Sequence, residues 1–522
     1  MSTTTDPCSP DATPEIVPID TSARRFRANV LANLLYFVFN AGLQLWFTRY
    51  LIDHLGVATY GLVPLATNMT NYMAILTVAL SGSVGRFLTI DLARGDVETA
   101  NKTFNTSLFA TIVLAIALLP VVGALSWFSP HILNIPEGEE NGTRFLLVCT
   151  GFAFLLNTVG SNFACSTFAK NRFDYQRAVD VVGQAVQVGV AVTLFSVLGA
   201  KLWQVGIGIA AMSVMRQAGY QITWRKLTPE LRIRPRSFDR TRLREVLGMG
   251  GWLTVDAAST IALTGLDLLL ANVLLGSEAA GLYAPCLQLT IMARTVVGVF
   301  TSVLAPTYAA ALGAGNRPRV ARLAGEGMWT ISWVIALLVG VLAGSAPLVL
   351  RIWLGPSYTS MWPLVLALVL PQTVTMCVSP LSPVFLAANR LAVPCLVNLA
   401  LAPAAIALTW VLVGAAGLGP VGIALGTAGL LAARHVAFTP WYVARVLGQP
   451  SRPFYRALAG VAVGTAVVGG CTVVIMQCLS GLGLACTVLA LAALSVLYLL
   501  TVWGLVLRDG DRCRLRSLST GA

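Results

Sequence analysis

Apolar runs of about 20 residues recur along the whole chain, and only 11% of its 522 residues are charged. An apolar helix of that length spans the hydrocarbon core of a bilayer. Because lipid offers the backbone no hydrogen bonds, an open-ended chain crosses it as helices. The sequence therefore predicts an all-α polytopic membrane protein with about 14 transmembrane helices. The predicted spans are residues 28–50, 61–84, 104–126, 144–165, 179–199, 203–222, 247–271, 283–306, 328–350, 362–383, 394–414, 421–443, 457–477 and 484–506.

The basic residues lie almost entirely on one side of this layout. With the N-terminus in the cytoplasm, 30 of the 35 Lys and Arg residues fall in cytoplasmic tails and loops. Four fall outside, and one, Arg294, lies inside a span. This asymmetry follows the positive-inside rule and predicts cytoplasmic N- and C-termini. The net charge of +13 is therefore explained by basic residues that fix the topology and contact anionic lipid head groups, and it does not indicate a nucleic-acid partner.

An internal repeat organises the predicted spans. LGVATYGL at 55–62 matches LGSEAAGL at 275–282, and AKNR at 169–172 matches AANR at 387–390. Weak matches in one order at a near-constant offset of 220 indicate two parallel six-helix bundles, the arrangement of a rocking, alternating-access transporter. The predicted domains are a disordered cytoplasmic tail (1–27), an N-terminal lobe (28–222), a basic linker (223–246), a C-terminal lobe (247–443), two added helices (444–506) and a cytoplasmic tail (507–522).

Polar side chains form a stripe along the first span. Asn29, Asn33, Asn40 and Gln44 share one helix face at about 100° per residue. Such a stripe faces either other helices, through interhelical hydrogen bonds, or a water-filled cavity. The fifth span carries a shorter stripe with Asp180, Gln184 and Gln187.

Three charged residues lie inside the seventh and eighth spans. Asp256 and Asp267 are eleven residues apart, so a continuous helix would place them on nearly one face. Arg294 lies at about the same depth as Asp256 on the next span and is expected within pairing distance. Two interpretations stay open: a structural ion pair, or a cavity cation that receives an anionic head group, with the carboxylates as H⁺ or Na⁺ sites.

Sequence motifs for intrinsic catalysis are missing. The chain has no Walker A sequence, no HExxH and no GxSxG, so we expect neither an ATP motor nor an enzyme of those classes. It has no CxxC and no Cys/His cluster, so we expect no metal and no cofactor.

The loops resemble those of the polysaccharide flippases in the multidrug/oligosaccharidyl-lipid/polysaccharide exporter superfamily. The resemblance covers about residues 25–506 and rests on TRYLIDHLGVATYGL after the first span, DLARGDVETANK after the second, FAKNRFDY after the fourth, and the repeat. It implies a bacterial inner-membrane protein with two lobes around a central cavity. The implied substrate is an undecaprenyl-diphosphate-linked oligosaccharide, moved to the outer leaflet. Arg294 matches best the cationic residues expected to hold the diphosphate, with Arg49 and Arg86 as secondary candidates.

Two other functions remain as alternatives. A proton- or sodium-coupled exporter of small amphipathic compounds would use Asp256 or Asp267, although the first span has Asn and Gln where such exporters often have an acidic residue. A membrane glycosyltransferase or polysaccharide ligase would need acidic or His catalytic groups in a sizeable external loop. The loop at 127–143 offers Glu137, Glu139 and Glu140, but it is short. A polysaccharide polymerase or another biosynthetic protein is the expected partner.

Overall fold

A computed structural model describes residues 23–302, 304–479, 484–502 and 504, and its regular structure there is helical. The helices of the first half are α1 (Ala23–Leu55), α2 (Val57–Asn71), α3 (Ala74–Ala93), α4 (Val97–Ile132), α5 (Glu140–Ala169), α6 (Phe173–Leu198) and α7 (Leu202–Leu227). The later helices are α8 (Arg240–Thr264), α9 (Asp267–Leu275), α10 (Ser277–Ser302), α11 (Leu304–Gly313), α12 (Arg317–Gly344), α13 (Ala346–Trp353), α14 (Trp362–Val378), α15 (Ser382–Ala387), α16 (Ala392–Gly414), α17 (Gly419–Ala424), α18 (Leu430–Ala437), α19 (Thr439–Leu447), α20 (Arg452–Cys478) and α21 (Leu484–Thr501).

Each predicted span coincides with one of these helices or with consecutive ones, which confirms the all-α membrane class. Nine stretches of the described chain are long and apolar enough to cross a membrane, and a shorter apolar helix covers Cys486–Thr501. The nine are Val97–Ile132, Glu140–Ala169, Phe173–Leu198, Thr254–Leu275, Arg317–Gly344, Pro356–Ala387, Ala392–Gly414, Gly419–Leu447 and Arg452–Cys478. The tails predicted at 1–27 and 507–522 lie outside the described residues except for the first turn of α1.

The seventh predicted span is interrupted, which corrects one expectation. α8 ends at Thr264 and α9 begins at Asp267, so Asp256 and Asp267 lie on separate helices and the one-face argument for them was wrong. Gly265, at the break, has a poor helix propensity, and an acidic residue in a first turn favours a new helix start there. The tenth span is also broken, as its prolines indicate: a 3₁₀ turn at Ser379–Leu381 separates α14 from α15.

The internal repeat reappears as matching backbone geometry. Asn171 and Asn389 both adopt φ 52°, in the two loops that the sequence aligned. The next residue in each loop closes the same turn: the amide of Arg172 donates to the Thr167 carbonyl and that of Arg390 to the Phe385 carbonyl, both at 2.8 Å. Two non-glycine residues with positive φ at matching positions indicate one turn used twice.

Helix starts match at an offset of 220 as well. The Thr99 amide donates to Asp96 Oδ1 at 2.9 Å at the start of α4, and the Arg319 amide donates to Asn316 Oδ1 at 3.0 Å at the start of α12. Each capping residue follows a glycine with positive φ, Gly95 or Gly315. A side-chain oxygen on an otherwise unsatisfied first-turn amide stabilises each helix start.

The described chain divides into two compact units. Among the described residues, unit 1 comprises 23–47, 66–130 and 138–257, and unit 2 comprises 48–65, 131–137 and those from 258 to 504. The end of α1 and the start of α2, which the sequence predicts as external, therefore belong to unit 2, although the sequence places them in the first bundle.

In unit 1 the linker after α7 is fixed to α4 by two asparagines one turn apart. Asn101 accepts from the Arg232 amide at 2.8 Å and donates to the Glu230 carbonyl at 3.1 Å. Asn105 accepts from the Arg234 amide at 2.7 Å and donates to the Arg232 carbonyl at 2.8 Å. The linker then ends at Asp239, whose carboxylate has a pKa below its usual range because it accepts backbone amides of the first turn of α8.

Glycines bring backbones together in unit 2. A Cβ added to Gly61 would lie 2.6 Å from the backbone nitrogen of Gly281, its equivalent in the repeat. α12 and α20 each carry a GxxxG pattern, at 340–344 and 460–464, and Gly344 lies so close to Thr472 that a Cβ would be 2.6 Å from it. Small residues at this spacing allow close helix packing in a membrane.

Candidate functional site

A charged cluster lies inside unit 1, on helices α6 and α7. Asp180 is 9% exposed and accepts hydrogen bonds from Tyr220 Oη at 2.8 Å and from Arg177 Nη1 at 3.3 Å. Arg216 Nε lies 3.4 Å from Asp180 Oδ1, the oxygen that accepts from Tyr220. The cluster thus holds two guanidinium groups against one carboxylate, which leaves a positive charge in partly buried surroundings.

The polar stripe of α1 joins this cluster at one point. Asn33 Oδ1 accepts from Arg177 Nε at 2.7 Å, and the Arg177 guanidinium stacks on the Tyr36 ring, 4.8 Å from its centroid. Asn40 and Gln44, both half-buried, have no hydrogen-bond partner among the described residues. The side chain of Asn29 lies outside the described residues.

Sequence reasoning assigned Arg177 and Arg216 to cytoplasmic loops and so missed them. Both lie near the ends of predicted spans, where an arginine normally indicates only which side of the membrane the loop is on. A usable signal did exist: Arg177 precedes Asp180 by three residues and extends the polar stripe of the fifth span.

Arg294 lies in unit 2, on α10, and donates from Nε to Oε1 of Gln372 on α14 at 2.8 Å. The neutral amide orients the guanidinium. The carboxylate of Asp267, in the same unit, is close enough to attract it electrostatically. Asp267, at the start of α9, is 5% exposed and accepts from Tyr283 Oη at 3.4 Å. Thr427 is its other neighbouring hydroxyl, although no side chain among the described residues makes a hydrogen bond of good geometry to its Oδ1. Gln372 and Tyr283 were not predicted, because an isolated polar residue in an apolar span gives no periodic signal.

The remaining predicted residues are dispersed. Arg49 donates to the carbonyls of Ile352 and Trp353, at 3.0 and 3.2 Å, where α13 ends. Asp256 is half-buried in unit 1, whereas Arg294 belongs to unit 2, so their pairing stays a prediction. The side chain of Arg86 lies outside the described residues.

A cavity of about 820 Å³ lies at the predicted cytoplasmic end of unit 2. Three arginines and two aromatic residues line it, and none of its lining residues is acidic: Arg317, Arg390, Arg445, Trp441 and Tyr442. The Arg445 guanidinium lies 5.6 Å from the centre of the Trp441 ring. Such a cavity can hold an anionic group. Within the described residues, no group of three or more His, Cys, Asp and Glu side chains is arranged to hold a metal ion.

Comparison with known proteins places this chain among membrane proteins of polysaccharide synthesis. A family model described as polysaccharide biosynthesis protein matches residues 26–311. The uncharacterized membrane protein EpsK of Bacillus subtilis (strain 168) is 28% identical over 436 residues, which are 84% of this chain and 86% of that protein.

The fold is shared with solved transporters. An inward-facing multidrug resistance MATE family transporter of the MOP superfamily superposes with a TM-score of 0.62 at 16% identity, over 82% of this chain and 98% of that one. The lipid II flippase MurJ, in an inward closed conformation, superposes with a TM-score of 0.59 at 11% identity, over 90% and 97% of the two chains. At these identities the similarity establishes the fold alone.

We predict that Asp180→Asn destabilises the protein by about 3 kcal/mol, because it leaves two partly buried guanidinium groups without their carboxylate. Asp174→Asn on the same helix is the control. Its pair with Arg172 is 36% and 32% exposed, so its loss costs about 1 kcal/mol or less. Thermal unfolding in detergent, followed by size-exclusion fluorescence, measures both variants. Equal losses would contradict the role of Asp180.

Proposed function

Because this chain belongs to the polysaccharide biosynthesis protein family, we propose that it is an alternating-access flippase for a lipid-linked oligosaccharide. The proposed substrate is of the undecaprenyl-diphosphate type and moves from the inner to the outer leaflet for surface polysaccharide export. The proposed location is the bacterial inner membrane, with both chain termini in the cytoplasm. A polysaccharide polymerase or another protein of the same biosynthetic complex is the proposed partner.

The observation that carries this proposal is the partly buried cluster in which two guanidinium groups share one carboxylate. In unit 1, Arg177 and Arg216 share Asp180. In unit 2, Arg294 is oriented by Gln372, and Asp267 is close enough to attract it. A diphosphate offers several anionic oxygens, and the planar fork of arginine binds such oxygens in pairs. A charge within a span costs a few kcal/mol to insert, so an anionic ligand that compensates it explains its presence.

The amides of α1 suit the glycan. Asn40 and Gln44 are half-buried and have no protein partner among the described residues. Carboxamides can both donate to and accept from sugar hydroxyls. We therefore propose that they line the passage for the sugar, together with Asn33. A phosphate-binding role for Arg49 would require its bonds to the end of α13 to break, and the role of Arg86 stays a prediction.

A proton- or sodium-coupled exporter of small compounds is the second candidate. The family match favours the lipid-linked glycan, since it is to polysaccharide biosynthesis proteins. The cationic cavity lined by Arg317, Arg390 and Arg445 also suits an anionic substrate better than a cationic drug. We propose that this cavity first attracts the diphosphate from the cytoplasmic leaflet.

We predict that Arg294→Gln slows flipping roughly 10- to 100-fold, because a charge-assisted hydrogen bond contributes about 1.5–3 kcal/mol. The measurement is the leaflet distribution of lipid-linked glycan in a deletion strain that expresses each variant. Arg294→Lys should retain part of the activity, and Arg319→Gln, at an exposed site of the same unit, should retain all of it. Normal flipping by a folded Arg294→Gln protein would reject the phosphate role. An unchanged glycan distribution in the deletion strain itself would reject the flippase.

Contacts at the predicted external end of unit 2 define what must open. Thr48 Oγ1, near the end of α1, donates to Gln288 Oε1 on α10 at 2.9 Å. The Asn134 amide and side chain exchange hydrogen bonds with Asn272, at 2.6–3.0 Å. We propose that the outward-open state breaks these contacts, so that the last turns of α1 leave α10 within unit 2.

We predict that a disulfide between Thr48→Cys and Gln288→Cys stops flipping, since it holds the external ends together. Reduction should restore the rate, and each single cysteine variant should flip normally under oxidation. Glycan distribution before and after reduction of inverted vesicles measures the effect. Full activity of the oxidised, verified cross-link would contradict alternating access.

Coupling to H⁺ or Na⁺ is the remaining part of the proposal, with Asp267 as the coupling site. Its side chain is buried, and one carboxylate oxygen has no partner among the described residues. A buried carboxylate with a free oxygen can bind a proton or a sodium ion, and ionisable groups inside spans are typical of such relays.

We predict that an imposed pH or Na⁺ gradient accelerates flipping by the wild-type protein in proteoliposomes. Asp267→Asn should flip at a rate that no longer depends on the gradient, because an amide cannot take up the ion. Asp174→Asn serves as the control and should respond like the wild type. A gradient response that persists in Asp267→Asn would exclude this residue.

A further inference from the structure

A second cavity in unit 2 shares no residue with the one described above. It has a volume of about 640 Å³ and lies where α12 and α20 begin, at the predicted cytoplasmic side. Three arginines, one glutamate and two large aromatic residues are among its walls: Arg322, Arg452, Arg456, Glu326, Trp329 and Phe454. The proposed transport mechanism makes no use of it.

The charge of this cavity is positive. Glu326, its one acidic lining residue, lies 3.9 Å from Arg322. Arg456 stacks on the Trp329 ring, 5.3 Å from its centroid, and Arg452 is exposed at the start of α20. Arg452 and Arg456 are one helical turn apart, so their guanidinium groups can bind one phosphate together.

The walls of the cavity are held rigidly. A Cβ on Gly460 would lie 3.0 Å from the Trp329 ring, so the indole packs closely against the backbone of α20. Farther along the packed helices α12 and α20, a Cβ on Gly464 would lie 2.9 Å from Ala336. A Cβ on Gly340 would lie 2.8 Å from Val468. Close packing along both helices fixes the distance between the two sides of the cavity.

An exposed apolar stripe continues from the arginines along α20. At 100° per residue, Arg452, Arg456, Val463 and Val467 fall within about 60° of one another on the helix surface. Val463 is 63% exposed and Val467 is 57% exposed. In a membrane this face meets lipid chains, and Trp329 lies at the level where interfacial tryptophans are typical. Cationic groups therefore stand at the cytoplasmic end of an acyl-binding surface.

We propose that this α12–α20 cavity binds the headgroup of an anionic phospholipid from the cytoplasmic leaflet. Arg452 and Arg456 bind the phosphate, Trp329 packs against the glycerol region, and an acyl chain lies along Val463 and Val467. The valine stripe favours a lipid over a soluble phosphate compound, because a soluble ligand would leave that surface unused. This site is separate from glycan transport, so its test does not depend on the proposed function.

The experiment is native mass spectrometry of the full-length protein, released from nanodiscs that contain equal amounts of phosphatidylglycerol and phosphatidylcholine. We expect phosphatidylglycerol to be retained by the wild type, and its retention to fall roughly tenfold in Arg452→Gln/Arg456→Gln. The control is Arg236→Gln/Arg319→Gln, which removes the same charge from exposed sites outside the cavity. It should bind as the wild type does, and Arg452→Lys/Arg456→Lys should restore most of the binding.

Four results would overturn the proposal. The first is unchanged retention of phosphatidylglycerol by the Arg452→Gln/Arg456→Gln protein, and the second is an equal loss of retention in both glutamine double variants. The third is retention of phosphatidylcholine equal to that of phosphatidylglycerol, and the fourth is displacement of the lipid by millimolar glycerol 3-phosphate. The second result would indicate bulk surface charge, and the last would assign the site to a soluble phosphate compound.

Discussion

The absence of water from the bilayer core is the constraint on which this structure depends. Every backbone amide and carbonyl within the spans needs an internal partner, so the chain is helical there. Outside the spans, side chains and turns supply the partners that the helices do not. Asn101 and Asn105 bond to the backbone of the linker after α7, and backbone hydrogen bonds close the matching turns at Asn171 and Asn389. The loops are thus also fixed by hydrogen bonds within the protein.

The balance of charge around a buried ionisable group indicates whether its role is structural or functional. Asp180 compensates one guanidinium, yet two surround it. Arg294 is bonded to a neutral amide and attracted by the buried carboxylate of Asp267. A surplus of fixed charge is costly in this environment, which is why an anionic ligand is the simplest explanation for it. The two basic cavities of unit 2 follow the same logic at the membrane surface, where the cost is lower and lipid phosphates are the abundant anions.

The candidate site was only partly accessible from the sequence. The amide stripe of α1 could be predicted because one helix face is a local, periodic property. Arg294 stood out because it is a lone charge in an apolar run. Arg177 and Arg216 were missed, since a residue near the end of a span carries the same sequence signal whether it faces water or a neighbouring helix. Gln372 carried no signal, because its role depends on a helix 78 positions away in the chain.

The sequence by itself determined the helical membrane class, the positions of the spans, the asymmetry of basic residues and the internal repeat. These are consequences of local hydrophobicity, helical periodicity and turn chemistry. The tertiary structure alone decided that the seventh span breaks at Gly265, that Arg177 and Arg216 share Asp180, and that the end of α1 and the start of α2 belong to unit 2. Such facts depend on which helices are neighbours and at what depth, and apolar spans of similar composition do not encode that choice locally.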